Sequence, residues 1–320
     1  MLRCALQVII PVVFVALAGY AHADVNGHNT KGDYGMFSGS QPDPGFYIAP
    51  LYINYDADTL RNSSGDKIPP SEGELGFDAV APIFAWVSNK KILGGNYGLT
   101  IIPAWTTSAL EAATLGGTSR VDWGFGDLYI QPIVLGWHTP RADFTAGLGI
   151  FAPTGTYEAG GDNNTGLGMW SYEVFGGTTL YLDQDRTWSF AATGFFETHS
   201  EKEGTDIRVG DLLTIEGGLG KSFLGGAASA GIAYYGQWKL SHDDLGFDPP
   251  GLLPVTVERR LPKHRVFGLG PELTLPIASK SKLYALANFR YLKEFGAKST
   301  SEGETFLFTL TFPVPSIALQ

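Results

Sequence analysis

Residues 304–312 read E-T-F-L-F-T-L-T-F. Phe306, Phe308, Leu310 and Phe312 fall on one face; Thr305, Thr309 and Thr311 fall on the other, with Leu307 as an apolar exception. A period of two is the signature of a strand, and a wholly apolar, aromatic-rich face needs an apolar partner. That partner is either lipid or the core of a soluble sandwich, and this strand alone does not choose between them.

The same alternation recurs along the chain. It predicts twelve strands, at about 46–56, 73–87, 95–107, 124–138, 141–152, 170–182, 187–198, 211–223, 227–240, 264–277, 281–294 and 304–313. Leu75, Phe77, Ala79, Ala81 and Ile83 oppose Glu74, Gly76 and Asp78; Leu283, Ala285, Ala287, Phe289 and Tyr291 oppose Lys282, Asn288 and Arg290. Segment 170–182 is apolar on both faces.

The connections carry more weight than the strands, because they alternate in length. Long ones (57–72, 108–123, 153–169, 199–210, 241–263, 295–303) are rich in Gly, Asp, Asn, Ser and Pro. Short ones fall at 89–95, 138–141, 183–186, 222–226 and 278–282. An even number of antiparallel strands with short turns on one rim and long loops on the other describes an outer-membrane barrel. A soluble sandwich has no reason to alternate so regularly. The predicted fold is therefore all-β: a transmembrane, antiparallel, up-and-down β-barrel of about 12 strands. Its short turns would be periplasmic and its long loops extracellular, with both termini on the short-turn side.

The ends of the chain fit this reading. Residues 1–23 have the form of a cleaved signal peptide: Arg3, an apolar run from Val8 to Ala18, and Ala21-His22-Ala23 as the cleavage signal. Residues 24–45 are polar and glycine-rich, without strand or helix periodicity. They form an N-terminal arm that is disordered, draped over one mouth or tucked inside. The barrel is assigned to 46–313 and a short tail to 314–320. Cys4 is the one cysteine and lies in the leader, so no disulfide or thiol chemistry is expected. A mean hydropathy of +0.02 suits a barrel, where lipid-facing and inward residues cancel. Without the leader, 21 basic residues face 32 acidic ones, which argues against a nucleic-acid partner.

Several words in the chain carry a resemblance. They are G-S-Q-P-D-P-G-F-Y (39–47), G-F-G-D-L-Y-I-Q-P-I-V-L-G-W (124–137), P-T-G-T-Y (153–157), N-T-G-L-G-M-W-S (164–171), L-T-I-E-G-G-L-G-K-S-F (213–223) and G-L-G-P-E-L (268–273). With them the chain resembles the bacterial "putative meta-pathway of phenol degradation" family, also called SphA-like proteins. The resemblance implies an outer-membrane barrel of a Gram-negative bacterium, associated with catabolism of aromatic or other hydrophobic compounds. It implies no catalytic residues. The chain departs from the family pattern at the acidic Q-P-D-P-G and in the residues after Phe312.

Chemistry-bearing motifs are sparse. The six histidines show no metal-ligand spacing, so no metal is expected. No His and Ser stand two apart on a strand, and His199-Ser200 and Ser241-His242 point to opposite faces, so no catalytic residue and no enzyme activity is expected. No cofactor is implied. Asp78, Asp127, Tyr129, Glu173, Glu216, Glu272, Asn288 and Arg290 fall on the face assigned to the lumen. They form either a hydrogen-bonded plug or a polar filter along a water path. Tyr129, Phe175, Phe195 and Tyr284 are candidates for an apolar binding stripe or for lumen filling. Pro82 and Pro132 lie inside strands, where proline donates no ladder bond, and mark breaks that curve the wall or open a sideways exit. The expected function is passive uptake of a small hydrophobic or aromatic compound. The expected partners are that solute, outer-membrane lipid and the barrel assembly machinery. The alternative is a non-transporting structural or adhesion barrel with a plugged lumen.

Overall fold

The computed structural model describes residues 26–68, 73–112, 117–244, 246, 263–279 and 282–314. The predicted leader and most of the C-terminal tail lie outside the described residues. The strands are β1 (Gly45–Leu60), β2 (Gly73–Ile92), β3 (Gly95–Ile102), β4 (Trp105–Ala112), β5 (Gly117–Phe125), β6 (Leu128–His138), β7 (Ala142–Ala152), β8 (Ser171–Tyr181), β9 (Trp188–His199), β10 (Leu212–Phe223), β11 (Ala228–Lys239), β12 (Arg265–Ser279), β13 (Lys282–Lys298) and β14 (Ser301–Val314). All pairings are antiparallel. β1 pairs with both β14 and β2, which closes the sheet on itself.

Twelve strands make the ring. The long β2 pairs with β3 over Phe84–Ile92 and with β4 over Gly73–Val80. β3 and β4 are therefore one strand interrupted at Pro103 and Ala104, and β5 and β6 are one strand interrupted at Gly126 and Asp127. The predicted strands 95–107 and 124–138 are thus each split by a break.

The periodicity works as read in β14. Phe306 and Phe312 are exposed outward and Leu307 is buried inward. Phe306 to Val314 spans nine residues, within the roughly 9–11 that a tilted strand needs to cross a bilayer. Above this stretch the outer surface turns polar: Asn54, Asp56, Asp78, Lys293 and Glu304 sit on adjoining strands. Outward tryptophans lie near both rims, Trp86 and Trp188 toward the short turns and Trp123 and Trp170 toward the long loops. This is the girdle pattern of membrane barrels.

The short turns are tight, and the connection expected at 89–95 shrinks to residues 93 and 94. Leu93 and Gly94 both take positive φ in the two-residue β2–β3 turn. In the β8–β9 turn, Asp183 accepts hydrogen bonds from Thr187 Oγ1 (2.6 Å) and Trp188 N (2.8 Å). The Thr187 hydroxyl, then the Trp188 amide, hold its carboxyl below the usual carboxylate range. Two expected long loops are instead tall hairpins: in 295–303 only residues 299 and 300 are not strand, and of 108–123 residues 108–112 and 117–123 belong to β4 and β5.

Candidate functional site

The arm is inside the barrel. β1 begins and β14 ends at the short-turn rim, where Phe46 pairs with Val314. From Gly45 back toward Gly27, the chain runs the length of the lumen to the long-loop rim. Ser40 meets Asp143, next to a short turn, at 2.9 Å, while Gly27 lies against Leu212 and His199 beside the long loops. The expectation that both termini sit on the short-turn side holds for the strand ends only.

Inward carboxylates hold this arm. Glu197 accepts the amides of His28 (2.8 Å) and Asn29 (3.0 Å); Glu216 accepts that of Tyr34 (2.9 Å) and Glu272 that of Met36 (2.9 Å). Glu173 accepts from Asn29 Nδ2 at 3.0 Å and from the Tyr129 hydroxyl, and Glu294 accepts from Lys31 Nζ at 2.8 Å. Arg290 donates to Gly32 O (2.6 Å) and Glu272 (3.0 Å). An irregular segment carries backbone N–H groups that no sheet satisfies, and buried donors without acceptors are costly. The wall carboxylates remove that cost.

Packing fits the arm as closely as the hydrogen bonds. Met36 is fully buried against the G-G-L-G run of β10 and Gly231 of β11. A Cβ on Gly220 would lie 2.0 Å from the Met36 sulfur, and one on Gly231 2.4 Å from it. The missing side chains make the groove the arm lies in.

Asp127 is a hub between arm and outer loops. It sits at the β5–β6 break, where Oδ1 accepts from Gly155 N (2.9 Å) and Oδ2 accepts from Leu167 N (2.7 Å) and His28 Nε2 (2.8 Å). Thr154 Oγ1 accepts from Leu128 N and donates to Gly126 O. The sequence words G-F-G-D, P-T-G-T-Y and N-T-G-L-G-M-W-S thus meet at one point.

Beside the arm remains a cavity of about 560 Å³. Its far wall is apolar, with Leu51, Ile53, Phe77, Ala79, Ala81 and Ile83 from β1 and β2. Its flank is aromatic: Tyr129 stacks on Phe151 at 4.1 Å between centroids, Phe151 on His28 at 4.8 Å, and Phe195 meets Tyr34 at 4.8 Å and Phe175 at 5.6 Å. The volume lies within the ~300–1,000 Å³ of small-molecule sites.

Of the residues assigned to the lumen, Tyr129, Glu173, Glu216, Glu272, Asn288 and Arg290 are placed inside, and Asp127 at its upper edge. Asp78 is corrected: it faces outward, where Tyr52 Oη donates to it at 2.7 Å and Asn54 Nδ2 at 3.2 Å. The apolar face of β2 is the inner one. Its outer face is apolar too, with Val80, Phe84 and Trp86 exposed, so alternation did not identify the lipid side. Tyr284 is half exposed next to the β12–β13 bulge and lines no part of the cavity.

Pro82 faces Pro50 across β1 and lies where β2 changes partner from β3 to β4. Pro132 lies at the register shift of β6 against β7. The β2 switch point, Pro103–Ala104 and Gly126–Asp127 lie side by side, and Ala81, Ile83, Ala104 and Asp127 all line the cavity. Sequence reasoning also missed a buried cluster of His28, Ser171, Glu197 and His199, drawn from three separated segments.

The fold has known counterparts. The COG4313 outer membrane channel from Pseudomonas putida F1 superposes with a TM-score of 0.73 at 11% identity, over 90% of this chain and all of that one. The β domain of the Bordetella autotransporter BrkA gives 0.46 at 12% identity over 85% of this chain and all of that one, and a Pseudomonas aeruginosa FadL homologue 0.41 at 10% over 90% and 99%. No curated protein matches the chain by sequence. At such identities the first likeness establishes the fold alone, a closed outer-membrane β-barrel. The family model described as "Putative MetA-pathway of phenol degradation" matches residues 57–310, and the chain belongs to that family.

Proposed function

We propose that this barrel mediates passive uptake of a small hydrophobic or aromatic compound. The observation that carries the reading is the cavity between the arm and β1–β2, apolar on its β1–β2 wall, aromatic on its flank, and edged on the arm side by Asp33, Glu173 and Arg290. A lumen that only needed filling would be packed to protein density, leaving few voids larger than a water molecule. Burial of apolar solute surface would drive entry, at about 25 cal/mol per Å². The family's association with phenol degradation, and the channel named for the P. putida counterpart, point the same way.

The cavity reaches the run of breaks across β2, β3–β4 and β5–β6, and in this reading those breaks are where a solute would leave sideways into the membrane. Asp127 and the loop residues bonded to it cover the upper part of that route. No catalysis is assigned: Ser171, hydrogen-bonded to His28, is fully buried beneath its partners.

Substituting Ala79→Phe tests the reading, because Ala79 is buried on the cavity wall. Uptake of phenol-sized solutes into liposomes is expected to fall severalfold while the barrel still folds and resists detergent. Unchanged uptake sinks the cavity as the path. The second reading, a structural barrel, is favoured by the closely bonded arm, and predicts no solute flux from the wild-type protein either.

A further inference from the structure

We propose that His28, His199 and Glu197 form a binding site for a divalent transition-metal ion of the zinc class, which pins the arm to the barrel wall at the long-loop mouth. The site comes from the donor geometry alone and does not depend on which solute the barrel carries.

The donors converge. His28 Nδ1 lies 3.8 Å from Glu197 Oε1, and His199 Nδ1 lies 3.5 Å from the same oxygen. The ligand atoms of the three residues all lie within 4.8 Å of one another. Four ligands about 2.05 Å from a tetrahedral zinc sit roughly 3.3 Å apart, so small side-chain movements would complete the set. Ser171 Oγ stands between the two imidazoles, 2.7 Å from His28 Nδ1 and 2.8 Å from His199 Nδ1. It is positioned to complete the shell itself or to hydrogen-bond a coordinated water.

The surroundings match a metal site as well as the donors do. His28 Nε2 bonds to Asp127 Oδ2 at 2.8 Å, and that carboxylate is fixed by the amides of Gly155 and Leu167. A histidine that donates Nε2–H to a carboxylate presents a bare Nδ1 lone pair to the other side, the arrangement found behind metal-bound histidines. Here that lone pair points at the cluster. The histidine and glutamate side chains are nearly withdrawn from solvent, at 6%, 0% and 1% exposure for His28, His199 and Glu197. Two imidazoles with one carboxylate suit zinc, and also cobalt, nickel or copper, over magnesium or calcium.

The consequence concerns the arm. His28 belongs to it and the other two donors belong to β9, so an ion bound by all three links arm and wall at one point. That point also borders the cavity, since His28 and Asp127 line it.

Calorimetric titration of the detergent-solubilised barrel with zinc chloride tests the site, after chelator treatment and dialysis. One saturable equivalent per barrel is expected. His28→Gln and His199→Gln should each weaken it by about tenfold or more. His138→Gln, near the opposite rim, should leave it unchanged. His199→Gln keeps the His28–Asp127 bond, so it separates loss of a ligand from loosening of the arm. Absence of saturable binding overturns the proposal. So does an affinity that neither His28→Gln nor His199→Gln alters, or one lost only with His138→Gln.

Discussion

Deleting residues 26–41 turns the filled barrel into an open pore, with single-channel conductance in planar bilayers rising by on the order of tenfold or more. In the intact protein the arm runs through the lumen from the short-turn rim to the long-loop rim, and the wall carboxylates are turned toward its amides. Without the arm those carboxylates face water. Glu173, Glu197, Glu216, Glu272 and Glu294 then line the passage against Arg290, so the pore should favour cations. The β-barrel itself should survive, because its backbone hydrogen bonds lie within the closed sheet and newly exposed inward carboxylates are hydrated. Equal conductance before and after deletion would mean that the arm does not fill the lumen in the membrane.

Replacing Arg290 by methionine should be the most damaging single change inside the barrel. Arg290 is buried; it donates to Glu272 at 3.0 Å and to the arm carbonyl of Gly32 at 2.6 Å. Its removal strands a buried carboxylate and frees the middle of the arm. Breaking a buried ion pair from one side costs about 3–5 kcal/mol. Urea unfolding followed by heat-modifiable gel mobility should record a loss of that size. Adding Glu272→Met should recover part of it, since no unpaired charge then remains. The recovery should be incomplete, because the Met36 amide loses its acceptor. A loss under about 1 kcal/mol would place this pair in contact with water.

These two predictions rest on features that were unequally legible in the chain. Strand positions and the alternation of loops could be read because lipid outside and a packed lumen inside impose a period of two on each wall segment. β14 shows this plainly, with Phe306 and Phe312 outward and Leu307 inward. Periodicity failed to orient β2, whose two faces are both apolar, and Asp78 was assigned inward as a result. The inward carboxylates were visible, but their purpose was not. They bind backbone N–H groups of an arm that has no periodicity and whose side chains give no hint of its path. The histidine cluster was invisible for a related reason. His28 lies 169 and 171 residues from Glu197 and His199 along the chain, and only the arm's insertion brings it to them. The G-G-L-G run of 217–220 stood out in the chain only as part of a family resemblance, not as the bed for Met36.

A single cysteine in the arm tests the account most directly, since the only cysteine of the chain is Cys4, in the predicted leader. Met36 is fully buried against the glycines of β10 and β11. The variant Met36→Cys, folded in the outer membrane, should resist a water-soluble maleimide and react only after the barrel is unfolded by boiling in detergent. If the thiol reacts fully in the folded barrel, the arm is not in the lumen, and the cavity beside it does not exist as described.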